Sequence, residues 1–219
     1  GILSLSYFWY PLSFPETNGT GDSYTPGETF TMGSANITLY AKWTPTYTVT
    51  YHANEADSGD VPVDSTSYEQ GDEVTVLGNT GSLVRSGHAF AGWCVNANGT
   101  GDSYTPGETF TMGSSDVILY AKWTLTYTVT YHANEADSGD VPIDGNSYVQ
   151  GNTVTVLGNT GSLARDGYAF AGWCVNANGT GDSYTQGETF TMGSANVVLY
   201  AKWTPTYTVT YNGNESDSG

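Results

Sequence analysis

The chain repeats itself every 80 residues: Trp43, Trp123 and Trp203 lie 80 apart, as do Cys94 and Cys174. A fixed internal period constrains the fold more than any single motif does. Each unit must reuse one supersecondary plan, and neighbouring units must join in one way. Two complete units fit, 47–126 and 127–206. Residues 1–46 read as the C-terminal part of a truncated or diverged repeat, and 207–219 as the first strand of a following one. A unit of this size can hold a modest core of its own.

Within a unit the dominant signal has a period of two. Tyr47, Val49, Tyr51 and Ala53 fall on one face of a strand, and Thr48, Thr50 and His52 on the other, the pattern of a half-buried strand. Val117, Leu119, Ala121 and Trp123 are expected to point inward, with Tyr120 and Lys122 outward. In His88–Val95, alternation sets Ala89, Ala91, Trp93 and Val95 opposite Phe90 and Cys94. A strand apolar on both faces is expected to be covered on both sides. Asn98-Gly99 and Thr105-Pro-Gly107 are turns, because their residues tolerate the required backbone angles. Ser82 could cap one helical turn carrying Leu83 and Val84, stopped by Gly87. Nothing else reads as helix. Units are joined by Thr44–Thr46, Thr124–Thr126 and Thr204–Thr206, two of them with a central Pro. Three residues span only about 10 Å when extended, so an elongated, semi-rigid string of domains is expected.

These residues resemble a known family. The run Tyr127–Tyr131, then Gly167–Trp173, then Gly179–Thr185, then Val197–Thr204 is similar to the Listeria–Bacteroides repeat, a family similar to the B-repeat of internalin-type surface proteins. The resemblance implies a mainly β module, an α+β β-grasp (ubiquitin-like) mixed sheet with at most one short helix per unit. It implies tandem arrays in secreted or wall-attached adhesin-like proteins of bacteria or archaea, hence an extracellular, cell-surface location. It supplies no catalytic residues. Cys94 and Cys174 depart from the polar residue that more often follows Gly-Trp in that family.

Charge narrows the partners. The chain has 22 acidic and 5 basic residues, a net of −17. Nucleic acid is excluded as a partner, since phosphate binding needs a Lys/Arg footprint, and anionic lipid is disfavoured for the same reason. The apolar opening stretch, residues 1–10, is too short to span a membrane. In register it reads as a diverged strand, Tyr10 falling where Phe90 and Phe170 fall. Cys94 and Cys174 occupy equivalent places in separate units, so no disulfide forms within a unit. They read as buried thiols acting as small hydrophobes.

No catalytic constellation recurs with usable spacing, and no Cys or His pair has zinc spacing. No enzyme and no bound cofactor are expected. Calcium has one weak set of candidates. Asn96, Asn98, Thr100 and Asp102 alternate along a Gly-rich turn, repeated at Asn176, Asn178, Thr180 and Asp182. Such oxygens resemble the first half of a calcium loop, but position 12 is Gly107 where a bidentate Glu belongs. Turn chemistry is the preferred reading there. Glu55, Asp57 and Asp60 form a similar, weaker cluster.

The two units differ at 14 of their 80 positions, so each unit does the same job, as a spacer requires. The expected function is a non-catalytic stalk, spacer or fibre module whose partners are its neighbouring repeats. Head-to-tail self-association by strand addition is a further expectation. The alternative is a binding module for a host protein or glycan, resting on surface aromatic residues. Asn18, Asn36, Asn98, Asn178 and Asn214 stand in glycosylation sequons.

Overall fold

A computed structural model describes residues 2–4, 12–14 and 22–212. In residues 47–126, strand Val49–His52 runs parallel to the start of the closing strand Val117–Tyr127, in register Val49↔Val117 to His52↔Tyr120. The other edge of the closing strand pairs antiparallel with His88–Cys94, which takes the short strand Ser103–Tyr104. The first strand therefore sits beside the last one, and the closing strand lies inside a mixed sheet. A two-stranded ribbon, Glu73–Thr75 with Thr109–Thr111, forms separately. Residues 127–206 repeat this plan with each register moved by 80, Val129–His132 running parallel to Val197–Tyr200.

Each unit closes its own core. In the first, Val49, Tyr51, Leu119, Ala121 and Trp93 of the mixed sheet meet Val74, Val76, Leu83 and Met112. The equivalent residues of the second unit form a separate cluster. Trp93 is fully buried, edge-on to Tyr51 and Phe90, and its indole N–H donates to Leu77 O at 2.9 Å. The Leu77 N–H in turn donates to the Tyr51 hydroxyl at 2.9 Å. Both polar ends of one buried segment are thus satisfied by aromatic side chains, so no desolvation penalty is left standing. Truncating such an indole costs about 3–5 kcal/mol.

The strand reading holds for Val49–His52, whose burial alternates, and for Leu119 and Ala121, both fully buried. It fails in His88–Cys94. Phe90 pairs with Trp123 but Trp93 pairs with Ala121, so one extra residue is accommodated between them. This bulge turns Phe90 and Trp93 onto the same face, where strict alternation had separated them. Gly92 sits in the bulge at φ +107°, and a Cβ there would meet Tyr104 O at 2.4 Å. Val63 and Ile143, equivalent in the two units, are 84% and 89% exposed.

The helical turn expected at Ser82–Val84 is absent, and no helix occurs among the described residues. Ser82 adopts φ +55°. The Asn79 side chain instead takes both Leu83 groups, accepting from its N–H at 2.7 Å and donating to its carbonyl at 2.9 Å. Val84 bridges back to Ser58, and in the second unit Gly161–Ala164 is a strand paired with Ser138–Asp140. A side chain that satisfies the backbone locally removes the incentive to wind a helix.

In the N-terminal region, Leu12–Phe14 pairs with Asp22–Tyr24 and with Tyr40–Ala41, while Ile2–Ser4 pairs with Thr29–Thr31. Tyr10 lies outside the described residues. Residues 207–212, expected to begin a strand, carry none, and Tyr207, Val209 and Tyr211 are exposed. In each full unit the partner of this segment lies 68 residues further on.

Candidate functional site

Two repeated features stand out, a joint and a cleft. The joint is the closing strand itself. Val117–Tyr127 is 11 residues long and continuous through the boundary at 126/127. Its middle pairs with His88–Cys94 of the first unit, through His88↔Leu125. Its end pairs with Tyr148–Val149 of the second, through Thr126↔Val149 and Tyr127↔Tyr148. The Thr126 N–H donates to Gly87 O at 2.8 Å, holding the last joint residue to the first unit. Trp123 packs on the core of the first unit and Tyr127 on that of the second. Residues Thr124–Thr126 are therefore shared sheet and not a tether. Before the first unit Thr46–Tyr47 likewise pairs with Tyr68–Glu69, but it is a strand separate from Tyr40–Ala41. At the far end Thr206 N–H donates to Gly167 O at 2.8 Å. The middle joint carries Leu125 where the other two carry Pro, and it is a continuous strand. Strand pairing supplies its order.

The cleft is built around Asn54. This residue follows the first strand at φ +46°, and Glu55 follows it at φ +67°. Two consecutive left-handed non-glycine residues persist only where the surroundings over-determine them. Here the Asn54 N–H donates to His52 Nδ1 at 3.0 Å, and its amide nitrogen donates to Ala97 O and Ala121 O at 2.9 and 2.8 Å. Its carbonyl accepts the Trp123 indole N–H at 2.8 Å. One residue thereby ties together the first strand, the 96–99 turn and the closing strand. The turned backbone presents Glu55 to Arg85, with which it forms an ion pair. The resulting cleft, about 440 Å³, is lined by Asn54, Glu55, Arg85, Ala97, Asn98, Gly99, Ala121, Lys122 and Trp123. The second unit repeats it residue for residue at about 450 Å³, with Glu135–Arg165 at 2.6 Å.

The calcium candidates lie on the turn above Cys94. Asn98 Oδ1 accepts from the Thr100 N–H at 3.1 Å and its hydroxyl at 2.6 Å, and Asn178 and Thr180 repeat this. The Asn176 amide donates to the Thr180 hydroxyl at 3.3 Å, and the backbone carbonyl of Asn96 accepts from the Gly99 N–H. The backbone carbonyls of Asp102 and Asp182 accept from Val95 and Val175 N–H groups. The amide oxygens of Asn98 and Asn178 thus serve the turn. Glu55 and Asp57 are likewise drawn apart, Glu55 to Arg85 and Asp57 to the Ser86 N–H.

Cys94 and Cys174 are free and buried, but on the opposite side of the strand from the core. Each thiol donates under the turn to the carbonyl of Thr100 or Thr180 at 2.9 Å. Lys122 donates to the Ser103 hydroxyl at 2.9 Å, as Lys202 does to Ser183. Burial pushes the Tyr51 and Tyr131 phenols above their ordinary range, the Leu77 and Leu157 N–H groups opposing it. Burial, helped by Asp102, does the same to Tyr104.

The strand patterns did not point to the cleft. Its residues come from four separate segments, with up to 69 positions between Asn54 and Trp123. The one available signal was the 80-residue recurrence of Arg85/Arg165 and Lys122/Lys202 in a chain with few cations.

A tandem array of all-strand units, each with a polar cleft and the first joined to the second by its closing strand, defines a class of repeat module. The family model described as Listeria-Bacteroides repeat domain matches residues 47–122 and 127–202, and the chain belongs to that family. It is 36% identical over 174 residues to a protein of Evansella cellulosilytica named as a Gly-rich membrane protein, covering 77% of this chain and 20% of the relative. It is 34% identical over 180 residues to a second, named as a membrane protein of the same organism, covering 80% of this chain and 25% of the relative. The chain thus spans a fifth to a quarter of the length of these relatives. Among solved structures, domains 3-4 of the Streptococcal High Identity Repeats in Tandem from a cell surface protein match at 12% identity, covering 74% of this chain and all of that one, with a TM-score of 0.23.

Proposed function

We propose that the chain is a non-catalytic stalk or spacer segment of a cell-surface protein, a string of β-grasp-type units in which an extended crossover replaces the helix. The observation that carries this is the shared closing strand, hydrogen-bonded at one end into one unit and at the other into the next. A strand anchored in two sheets resists bending at the boundary because bending breaks ladder hydrogen bonds on one side or the other. The parallel pairing of first and last strands, flanked by an antiparallel one, supports the β-grasp reading. Membership of a repeat family, and relatives named as membrane proteins, support the surface location. A net charge of −17 keeps neighbouring stalks apart.

Small-angle scattering on the 219-residue chain tests the shape. A compact globule of this length has a radius of gyration of about 17 Å, and a stalk gives a clearly larger value. A radius near the compact value would sink the reading. Thr126→Pro sharpens the test, since it removes the N–H that donates to Gly87. It should broaden the distance distribution while both cores stay folded. Leu125→Pro should leave the distribution unchanged, because Pro205 already occupies the equivalent place in Val197–Pro205.

A further inference from the structure

We propose that the cleft in each unit is a binding site for an acidic saccharide, a glycan bearing a uronic or sialic acid carboxylate. This goes beyond the spacer role and does not depend on it. Positive charge is concentrated in the clefts. The chain has five basic residues and a net charge of −17, yet four of the five line these two clefts. Arg85 and Lys122 are the only cations of their unit, and Arg165 and Lys202 of theirs. They come from distant parts of the sequence and meet at one place twice. Against them stands one carboxylate per cleft, Glu55 or Glu135. The Arg–Glu ion pair is neutral, so Lys122 or Lys202 leaves each cleft lining one positive charge in excess, the complement of a single carboxylate.

Beyond the Arg85–Glu55 pair and the Lys122 bond to Ser103, the guanidinium and ammonium keep further donors and the carboxylate further acceptor sites. Asn98 lines the cleft with its oxygen occupied by Thr100, so its amide nitrogen is the group it can offer a ligand. Trp123 contributes an indole whose N–H is already taken by Asn54, leaving apolar ring at the wall. Sugars need this combination: donors and acceptors for hydroxyls, a ring face for the apolar C–H surface, and here a cationic corner for the carboxylate. Inorganic phosphate fits less well, because Glu55 repels a dianion and the indole has nothing to cover. The volume, about 440 Å³, lies within the ~300–1,000 Å³ of small-ligand clefts.

Left-handed Asn54 and Glu55 recur as Asn134 and Glu135 within 2° of the same φ. That conformation sets Glu55 against Arg85 and the Asn54 carbonyl against Trp123. Strain held in this way is typical of ligand sites. Identical clefts in successive units also suit weak single contacts that gain strength by multivalency.

The test is a titration of the 15N-labelled 219-residue chain, read at the tryptophan indole N–H resonances. The probes are a tetrasaccharide alternating glucuronic acid and N-acetylglucosamine, its carboxyl-reduced counterpart, sialyllactose and inorganic phosphate. We expect Trp123 and Trp203 to shift with at least one acidic sugar at about millimolar concentration. Trp93 and Trp173, buried and bonded to Leu77 and Leu157, should stay still and report an intact fold. Carboxyl reduction, or Lys122→Gln with Lys202→Gln, should weaken binding about tenfold. No shift of Trp123 or Trp203 with either acidic sugar up to about 10 mM overturns the proposal. So does equal affinity for the carboxyl-reduced sugar, or an equal response to phosphate alone.

Discussion

Replacing Gly92 with alanine should partly unfold one unit while leaving its neighbour standing. Gly92 occupies the bulge between Phe90 and Trp93 at φ +107°. An L-residue held at such an angle costs about 1–3 kcal/mol. The added Cβ would also lie 2.4 Å from Tyr104 O and 3.2 Å from its carbon. Both are backbone atoms, so the edge strand itself must move. That strand pairs only through Trp93↔Tyr104 and Cys94↔Ser103, and each lost hydrogen bond costs about 0.5–1.5 kcal/mol. With two such bonds lost the sum is roughly 2–6 kcal/mol, set against about 4–12 kcal/mol for a domain of this size. Gly99→Ala is the control. Gly99 also has positive φ, +76°, but nothing lies within 4 Å of its Cβ position. It should cost only about 1–2 kcal/mol. Urea denaturation followed by tryptophan fluorescence measures both. Gly92→Ala should split the transition into an early and a late step, with Gly172→Ala behaving alike. The reasoning is refuted if Gly92→Ala lies within about 0.5 kcal/mol of the parent, or if Gly99→Ala costs as much.

Cys94 and Cys174 should resist thiol reagents in the folded chain, since both are fully buried under the 96–102 and 176–182 turns. Both should react on adding denaturant, and rapid stoichiometric labelling of the native chain would contradict this. Alkaline pH should destabilise both units through Tyr51 and Tyr131. Burial raises their phenols above the ordinary value of 10.0, so they stay neutral in the folded chain after the unfolded chain has begun to ionise. Their contribution is complete below about pH 10 and is lost as pH rises through the raised folded value. Thermal melts between pH 8 and 11 should show a plateau and then a fall, and a flat profile would count against the assignment.

Much of the strand pattern was legible because it is local. Val49 and Tyr51 face inward because side chains alternate along any strand. The chain's division into equal units was legible in the period of 80 residues. Two local inferences failed for stated reasons. Ser82 looked like a helix cap, but Asn79 captured the backbone that would have wound. Phe90 and Trp93 looked like opposite faces, but one extra residue between them, relative to their partners Trp123 and Ala121, brought them together.

The joint was half legible. A three-residue link between strands is short in any fold, so close coupling followed from the sequence alone. That the closing strand pairs with both units depends on Tyr148 and Val149 folding back to meet it, a contact made over about twenty residues. The cleft depends on even longer reach. Arg85, Lys122, Asn54 and the 96–99 turn come together only when the parallel pairing of Val49–His52 with Val117–Tyr120 closes the sheet. The sequence by itself determined the repeat, the acidic surface, the alternation and the scarcity of cations. The tertiary structure decided where those few cations meet and how one unit enters the next. Periodicity and charge are properties of neighbours along the chain, whereas a bulge, a shared strand and a cleft arise from closure between distant segments.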